Sequence, residues 1–261
     1  MPDESRDQDD RALVIRDLTK RYGSSTAVAG VSLDVPRGCF FGLVGPNGAG
    51  KTTTINMATG LLRPDGGSVW VDGLNLWHDP VAAKARIGVL PDGLRLFERL
   101  SAGELLTYHG LLRGMPEATV ESRSVQLLAT LDLASAGRKL VADFSHGMRK
   151  KITLAAALIH GPRVLFLDEP FEGVDPVSAR TIRTVLDQFT THGGTVVLSS
   201  HVMDLVERLC QHVAVMHQGN IVASGPIDHV RQGRSLEDAF VQLVGSSMET
   251  TDLSWLGTSL D

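Results

Sequence analysis

Gly45-Pro46-Asn47-Gly48-Ala49-Gly50-Lys51-Thr52-Thr53 follows the pattern GxxxxGK[ST] and lies between an apolar run and a run with helical spacing. Phe40, Phe41, Leu43 and Val44 form the run before it, and Ile55, Ala58, Leu61 and Leu62 recur at helical spacing after it. Strand, glycine-rich loop and helix, in that order, are the context in which this pattern cradles phosphate. Gly45, Gly48 and Gly50 let the backbone curl so that successive N–H groups point at one anion, and the helix N-terminus adds its partial positive charge. Lys51 is expected to reach the outer phosphates as a compact cation, and the Thr52 hydroxyl to ligate Mg2+.

The rest of the chain sets bounds on this reading. Its 261 residues, 43 % of them hydrophobic, suffice for a sizeable core, and one nucleotide-hydrolysing unit is the simplest fit. A net charge of -5 argues against a nucleic-acid-binding surface, so no nucleic-acid partner is expected. Cys39 and Cys210 belong to no CxxC pair, which fits a reducing compartment and no structural zinc. No apolar run approaches the roughly 18 to 20 residues that span a bilayer, and MPDESRDQDDR is acidic where a signal peptide is basic and then apolar. The chain is therefore expected in the cytoplasm unless something holds it to a membrane.

Residues 1–11 read as a disordered acidic leader. Leu13 to Ile15 and Ala27 to Val35 read as strands joined through RYGSS, with another strand at Ser68 to Val71, suggesting a small antiparallel sheet beside the nucleotide core. Ser101 and Glu104 form a capping box ahead of Leu105, Leu106, Leu111 and Leu112, and Val125, Leu127, Leu128 and Leu131 mark a second helix. Residues from about 93 to 145 are thus expected to form a helical subdomain. Beyond it, strands at 164–167 and 195–199 alternate with helices, which implies a mainly parallel sheet with right-handed crossovers. Val213 to Met216 and Ile221 to Ala223 suggest an edge hairpin, and residues 246–261 form a polar tail without a clear period.

In an open parallel sheet, ligands bind at the carboxyl ends of the strands. Four apolar runs here end in polar groups: FFGLV in the loop, IGVL in Pro91-Asp92, VLFL in Asp168-Glu169, and VVLS in Ser200-His201. Asp168 is placed to hold a metal or its waters, and Glu169 to orient or deprotonate an attacking water. Position alone leaves His201 two readings, a hydrogen bond to the γ-phosphate or a strand end capped toward solvent.

With these residues in order, the chain resembles the nucleotide-binding subunit of an ABC transporter over roughly residues 12–245. The resemblance implies an α/β P-loop NTPase (RecA-like) core with a flanking antiparallel β-subdomain and an inserted helical subdomain. It also implies a Mg-dependent ATP hydrolase with ATP and Mg2+ as its cofactors. Tyr22, in LTKRYG, matches the aromatic residue that stacks on adenine; without the resemblance it reads as a surface tyrosine. Phe144-Ser145-His146-Gly147-Met148 stands in place of the LSGGQ signature, ahead of a helix begun by Arg149-Lys150-Lys151. Gly173-Val174-Asp175 matches the loop after the catalytic Glu, and His201 the switch histidine. The resemblance carries Glu169, His201 and Lys51 as catalytic groups, and Thr52, Asp168 and Asp92 as metal ligands. It carries Tyr22, the 45–53 loop, Ser145, Gly147 and Asp175 as nucleotide contacts.

By the same resemblance, Ser145 and Gly147 contact the γ-phosphate held by a second protomer's loop. ATP then joins two ATPase protomers, a homodimer or a heterodimer, about a twofold axis. It implies an integral membrane permease partner, with this chain at the cytoplasmic face of the cell membrane, and Leu94, Leu96, Phe97 and Leu100 as contacts or ordinary core. Two residues depart from the family: Asp92 where a Gln is usual, and His146 at the first signature glycine. SHGMR and SLEDAF, Ser235 to Phe240, are similar to ATPases of ABC-2-type exporters. A soluble ABC ATPase acting on DNA or the ribosome, an importer ATPase and a binding module that barely hydrolyses are the alternative readings.

Overall fold

The computed structural model describes residues 10–93, 96–136 and 138–245; most of the acidic leader, Leu94 and the polar tail from 246 lie outside them. β1 (Arg11–Tyr22) and β2 (Ser25–Pro36) pair antiparallel and turn at Gly23 and Ser24. Both strands run further than the apolar residues suggested. Arg11, assigned to the leader, starts β1 and pairs with Asp34, and Arg21 and Tyr22 belong to the strand rather than to its connection. Pairing with β2 along the whole length holds these polar residues extended.

β3 (Phe40–Val44) leads through the glycine-rich loop into α1 (Lys51–Ala58). β4 (Gly66–Val71) and the two-residue β5 (Leu74–Asn75) complete the first sheet, in the order β2-β1-β4-β5. After α2 (Pro80–Ala85) and β6 (Ile87–Leu90) come α3 (Ala102–Leu112) and α4 (Glu117–Thr130). The capping box at α3 is formed: the Ser101 hydroxyl accepts from the Glu104 N–H, and Glu104 accepts from the Ser101 N–H at 2.8 Å. Leu112 and Val125, counted among the apolar positions of these helices, are 70 % and 65 % exposed, so the buried stripe is narrower than the periodicity suggested.

α5 (His146–Leu158), β7 (Val164–Asp168), α6 (Pro176–Thr191), β8 (Thr195–Ser200) and α7 (Met203–Leu209) follow as alternating layers. α5 starts three residues before the expected Arg149, because the Ser145 side chain accepts from the Met148 N–H and caps it there. The hairpin β9 (His212–His217) and β10 (Asn220–Pro226) closes one edge, and α8 (Ile227–Arg231) and α9 (Leu236–Val244) end the described chain. The second sheet runs β10-β9-β3-β8-β7-β6, parallel throughout except for β10.

Each central strand feeds two cores by simple alternation. Phe41, Leu43, Val164, Phe166, Val197 and Ala214 face the first sheet and α1. Phe40, Val44, Leu165, Leu167, Val196 and Leu198 face α5, α6 and the helices between 102 and 130. Being buried on both faces explains why these strands read as unbroken apolar runs.

α5 lies so close to β6 that a Cβ on Gly88 would sit 2.4 Å from the Ala157 carbonyl oxygen and 2.8 Å from Leu165 Cδ1. Gly88→Ala is expected to lower stability in urea by about 1 to 3 kcal/mol through this overpacking. Two residues past the end of α5 stands His160, whose Nε2 lies 2.9 Å from the Ile87 oxygen. Burial, aided by the Arg113 charge, pushes its pKa from 6.5 down to about 4. Between those two values the unfolded chain binds the proton and the folded chain does not. Stability from this group is complete above pH 6.5 and falls as pH drops toward 4; denaturation midpoints of His160→Gln are expected to show a shallower fall over that window.

Candidate functional site

Register brings the strand ends together. Val44 pairs with Ser200 and Val215, Asp168 with Ser199, and Leu90 with Leu167, so β3, β8, β7 and β6 finish along one edge of the sheet. A cavity of about 520 Å³ opens there, lined by residues 47–53 with Ala27, Asp92, Glu169, Glu172 and His201. That size is ordinary for a small-molecule site.

Two glycines make the loop possible. A Cβ on Gly45 would lie 2.1 Å from the Met216 carbonyl oxygen, and one on Gly50, at φ +106°, would lie 2.4 Å from the Ala27 oxygen. The backbone is therefore pressed against β2 and β9 at both ends of the loop. Gly50 is also the N-cap of α1 and supplies no side-chain acceptor, which leaves the first-turn N–H groups for a ligand. Lys51 is 6 % exposed; its ammonium donates to the oxygens of Gly45 (2.8 Å) and Pro46 (3.2 Å) and stands 3.8 Å from Glu169. Burial lowers its pKa, while Glu169 and then Asp168 oppose that shift.

Glu169 is held on every side. Its N–H donates to the Ser199 hydroxyl at 3.1 Å, its carbonyl accepts from Lys150 Nζ at 2.8 Å, and His201 Nδ1 lies 3.0 Å from its carboxylate. Its backbone is left-handed, φ +46°, which a non-glycine residue adopts only under constraint. Beneath it the Asp168 carboxylate is 2 % exposed and accepts from the same Ser199 hydroxyl. Thr52 and Asp92 line the cavity, and the buried Asp168, next in the chain to Glu169, supplies a further carboxylate; these oxygen donors are hard ligands that suit Mg2+. Among the described residues no three His, Cys, Asp or Glu groups cluster as a metal cage.

The other expected contacts lie elsewhere. Tyr22 is 53 % exposed at the end of β1, with Lys20 Nζ 5.9 Å from its ring centre, and it does not line the cavity. Gly45 and Pro46 meet the site only through their carbonyls on Lys51. Ser145 and Gly147 open the N-terminus of α5, outside their own chain's cavity. A Cβ on Gly147 would meet Ser178 Oγ at 2.6 Å and Asp175 Oδ2 at 2.8 Å. Asp175 caps α6, accepting from the N–H groups of Val177 and Ser178, and the Ser178 bonds hold its carboxyl below the usual range. His146 reaches back toward the same loop, its Nε2 3.2 Å from the Glu172 oxygen.

Three residues at the site were not anticipated. Ala27 had no polar signal, and Lys150 sits inside a run of three cations that reads as a solvated helix start. Glu172, three positions after Glu169, was passed over as part of a turn.

Comparison with known proteins accords with this geometry. The family model described as ABC transporter matches residues 28–172. The "Linearmycin resistance ATP-binding protein LnrL" of Bacillus subtilis (strain 168) is 37 % identical over 213 residues, covering 82 % of this chain and 68 % of that protein. The "Nod factor export ATP-binding protein I" of Ralstonia nicotianae (strain ATCC BAA-1114 / GMI1000) is 38 % identical over 213 residues, covering 82 % and 66 %. A solved structure titled "Structure of ATP binding subunit of ABC transporter" superposes with a TM-score of 0.83 at 30 % identity, covering 89 % of this chain and 99 % of that one. A phosphate-cradling loop at the end of a parallel sheet, met by a carboxylate and a histidine, thus coincides with family-wide similarity: the chain belongs to the ABC transporter ATP-binding family, ATPases that drive transport together with membrane permease components.

Proposed function

We propose that this chain binds Mg-ATP in the 45–53 loop, closes on a second ATPase protomer around it, and uses hydrolysis to power export through a separate permease. The observation that carries the reading is the Glu169 carboxylate held by His201 beside the loop and its lysine. The working unit is a single ATPase domain over residues 12–245, with a helical subdomain at about 93–145.

On ATP binding, Lys51 exchanges the Gly45 and Pro46 carbonyls for the outer phosphates, and the N–H groups of 47–53 close on the phosphate oxygens. Tyr22 stacks on adenine, an interaction of about 1 to 3 kcal/mol in comparable base–aromatic contacts. Thr52, Asp168 and Asp92 are the groups that would hold Mg2+, which when bound offsets charge on the phosphates. Glu169 takes a proton from the attacking water, and His201 keeps that carboxylate oriented and reaches the γ-phosphate. Ser145 and Gly147 face away from their own cavity, which suits contact with the γ-phosphate on the other protomer. Asp175, its carboxylate committed to capping α6, serves by fixing the surroundings of Gly147.

No helix among the described residues is long and apolar enough to cross a membrane. The chain meets the membrane through the permease, at its cytoplasmic face. Leu96 and Leu100 pack onto the core and do not serve as docking groups. Phe97 remains, 52 % exposed and edge-on to Tyr108 with ring centres 4.9 Å apart. The drug-resistance and export relatives favour an ABC-2-type exporter over an importer.

Glu169→Gln is expected to bind ATP, to hydrolyse it at least about 100-fold more slowly, and to run as a dimer with ATP in size-exclusion chromatography. A variant that hydrolyses at the native rate, or stays monomeric with ATP, would overturn the roles of Glu169 or of Ser145 and Gly147 respectively. Purification from solubilised membranes is expected to bring along a multi-span protein that stimulates hydrolysis. Phe97→Asp should lose that protein while keeping basal hydrolysis, and recovery of ribosomal or DNA-bound partners instead would move the reading to a soluble ABC ATPase.

A further inference from the structure

Lys150 carries a charge into the interior. It lies on the first turns of α5, five residues after the Ser145 cap, and only 2 % of it is exposed. A buried ammonium is tolerated only where hydrogen bonds and opposite charges hold it. Its Nζ donates to the Glu169 carbonyl at 2.8 Å. Burial lowers its pKa, and the carboxylates of Asp92, Glu172, Asp168 and Glu169, in that order, work against the shift. Asp92 and Glu172 both line the cavity beside Glu169.

Glu169 needs such a partner. Its left-handed backbone is unfavourable for a residue with a Cβ and persists only where the surroundings fix it. Ser199 secures the N–H side of that residue, and Lys150 secures the carbonyl side. We propose that Lys150 is a positioning residue for hydrolysis: its ammonium pins the Glu169 carbonyl and so fixes where the carboxylate of that residue stands. One cation thereby joins the start of α5 to the residue that carries the hydrolytic carboxylate. The inference rests on the proposed role of Glu169 as the base.

The test compares Lys150→Met and Lys150→Arg in steady-state ATP hydrolysis and equilibrium ATP binding, with Glu169→Gln as control. Misplacing the base should lower kcat of Lys150→Met about ten- to a hundredfold with ATP Kd kept within about twofold. Lys150→Arg, which keeps charge and donor, should recover most of the rate. Native kcat in Lys150→Met, or loss of kcat and affinity together, would overturn the proposal. If Lys150→Met does not fold, Lys150→Gln takes its place: reduced kcat at unchanged Kd supports the role, and native kcat overturns it. Native hydrolysis by Glu169→Gln would instead remove the base reading, whereas an inactive Glu169→Gln beside a fully active Lys150→Met removes the positioning role alone.

Discussion

The pairing of β3 with β8 on one side and β9 on the other is the constraint on which the rest of the molecule depends. It sets Val44 level with Ser200 and Val215, and from there the chain must turn within a few residues into α1. The turn is pressed against the Met216 and Ala27 carbonyls, so only glycine fits at 45 and 50. A short strand clamped from both sides thus fixes an anion-binding loop, and the neighbouring strand ends inherit their distance from it. Functional side chains stand on strand ends and helix starts, which hold position better than a free loop would.

Charge around the cavity is unevenly distributed. Glu169, Asp168 and Glu172 act on Lys51, and Asp92, Glu172, Asp168 and Glu169 on Lys150, with His201 at the rim. Carboxylates outnumber lysines, and a nucleotide brings more negative charge. The two lysines differ in duty: Lys51 faces the cavity, its ammonium on the loop carbonyls and 3.8 Å from the Glu169 carboxylate, while Lys150 is tied to the Glu169 backbone.

How much of this could be read from the residues depends on how local each signal is. The loop, the parallel core, the edge hairpin and the α3 capping box were legible because spacing and turn chemistry within ten residues define them. The gathering of Asp92, Glu169 and His201 was legible too, since strand direction alone sends strand ends to one edge. The length of β1 was hidden, because its polar end is extended by pairing with β2 rather than by its own pattern. The start of α5 was misplaced because Ser145 was read as part of a signature rather than as a cap. Lys150 and Glu172 were missed for a different reason: a lysine among lysines and a glutamate in a turn look solvated until the fold encloses them. The folding of Leu96 and Leu100 onto the core likewise follows from tertiary packing, to which no short window of sequence refers.

The contact of Gly147 with Asp175 and Ser178 places the beginnings of α5 and α6 side by side. Two helix N-termini in contact add their partial positive charges in one small volume. Asp175, kept ionised by the α6 amides, cancels much of the α6 share, whereas the neutral Ser145 leaves that of α5 almost intact. The surface therefore presents one sharply localised positive pole instead of a diffuse patch. A pole of this kind acts at close range, so an anion must come nearly into contact with the start of α5 before that face holds it.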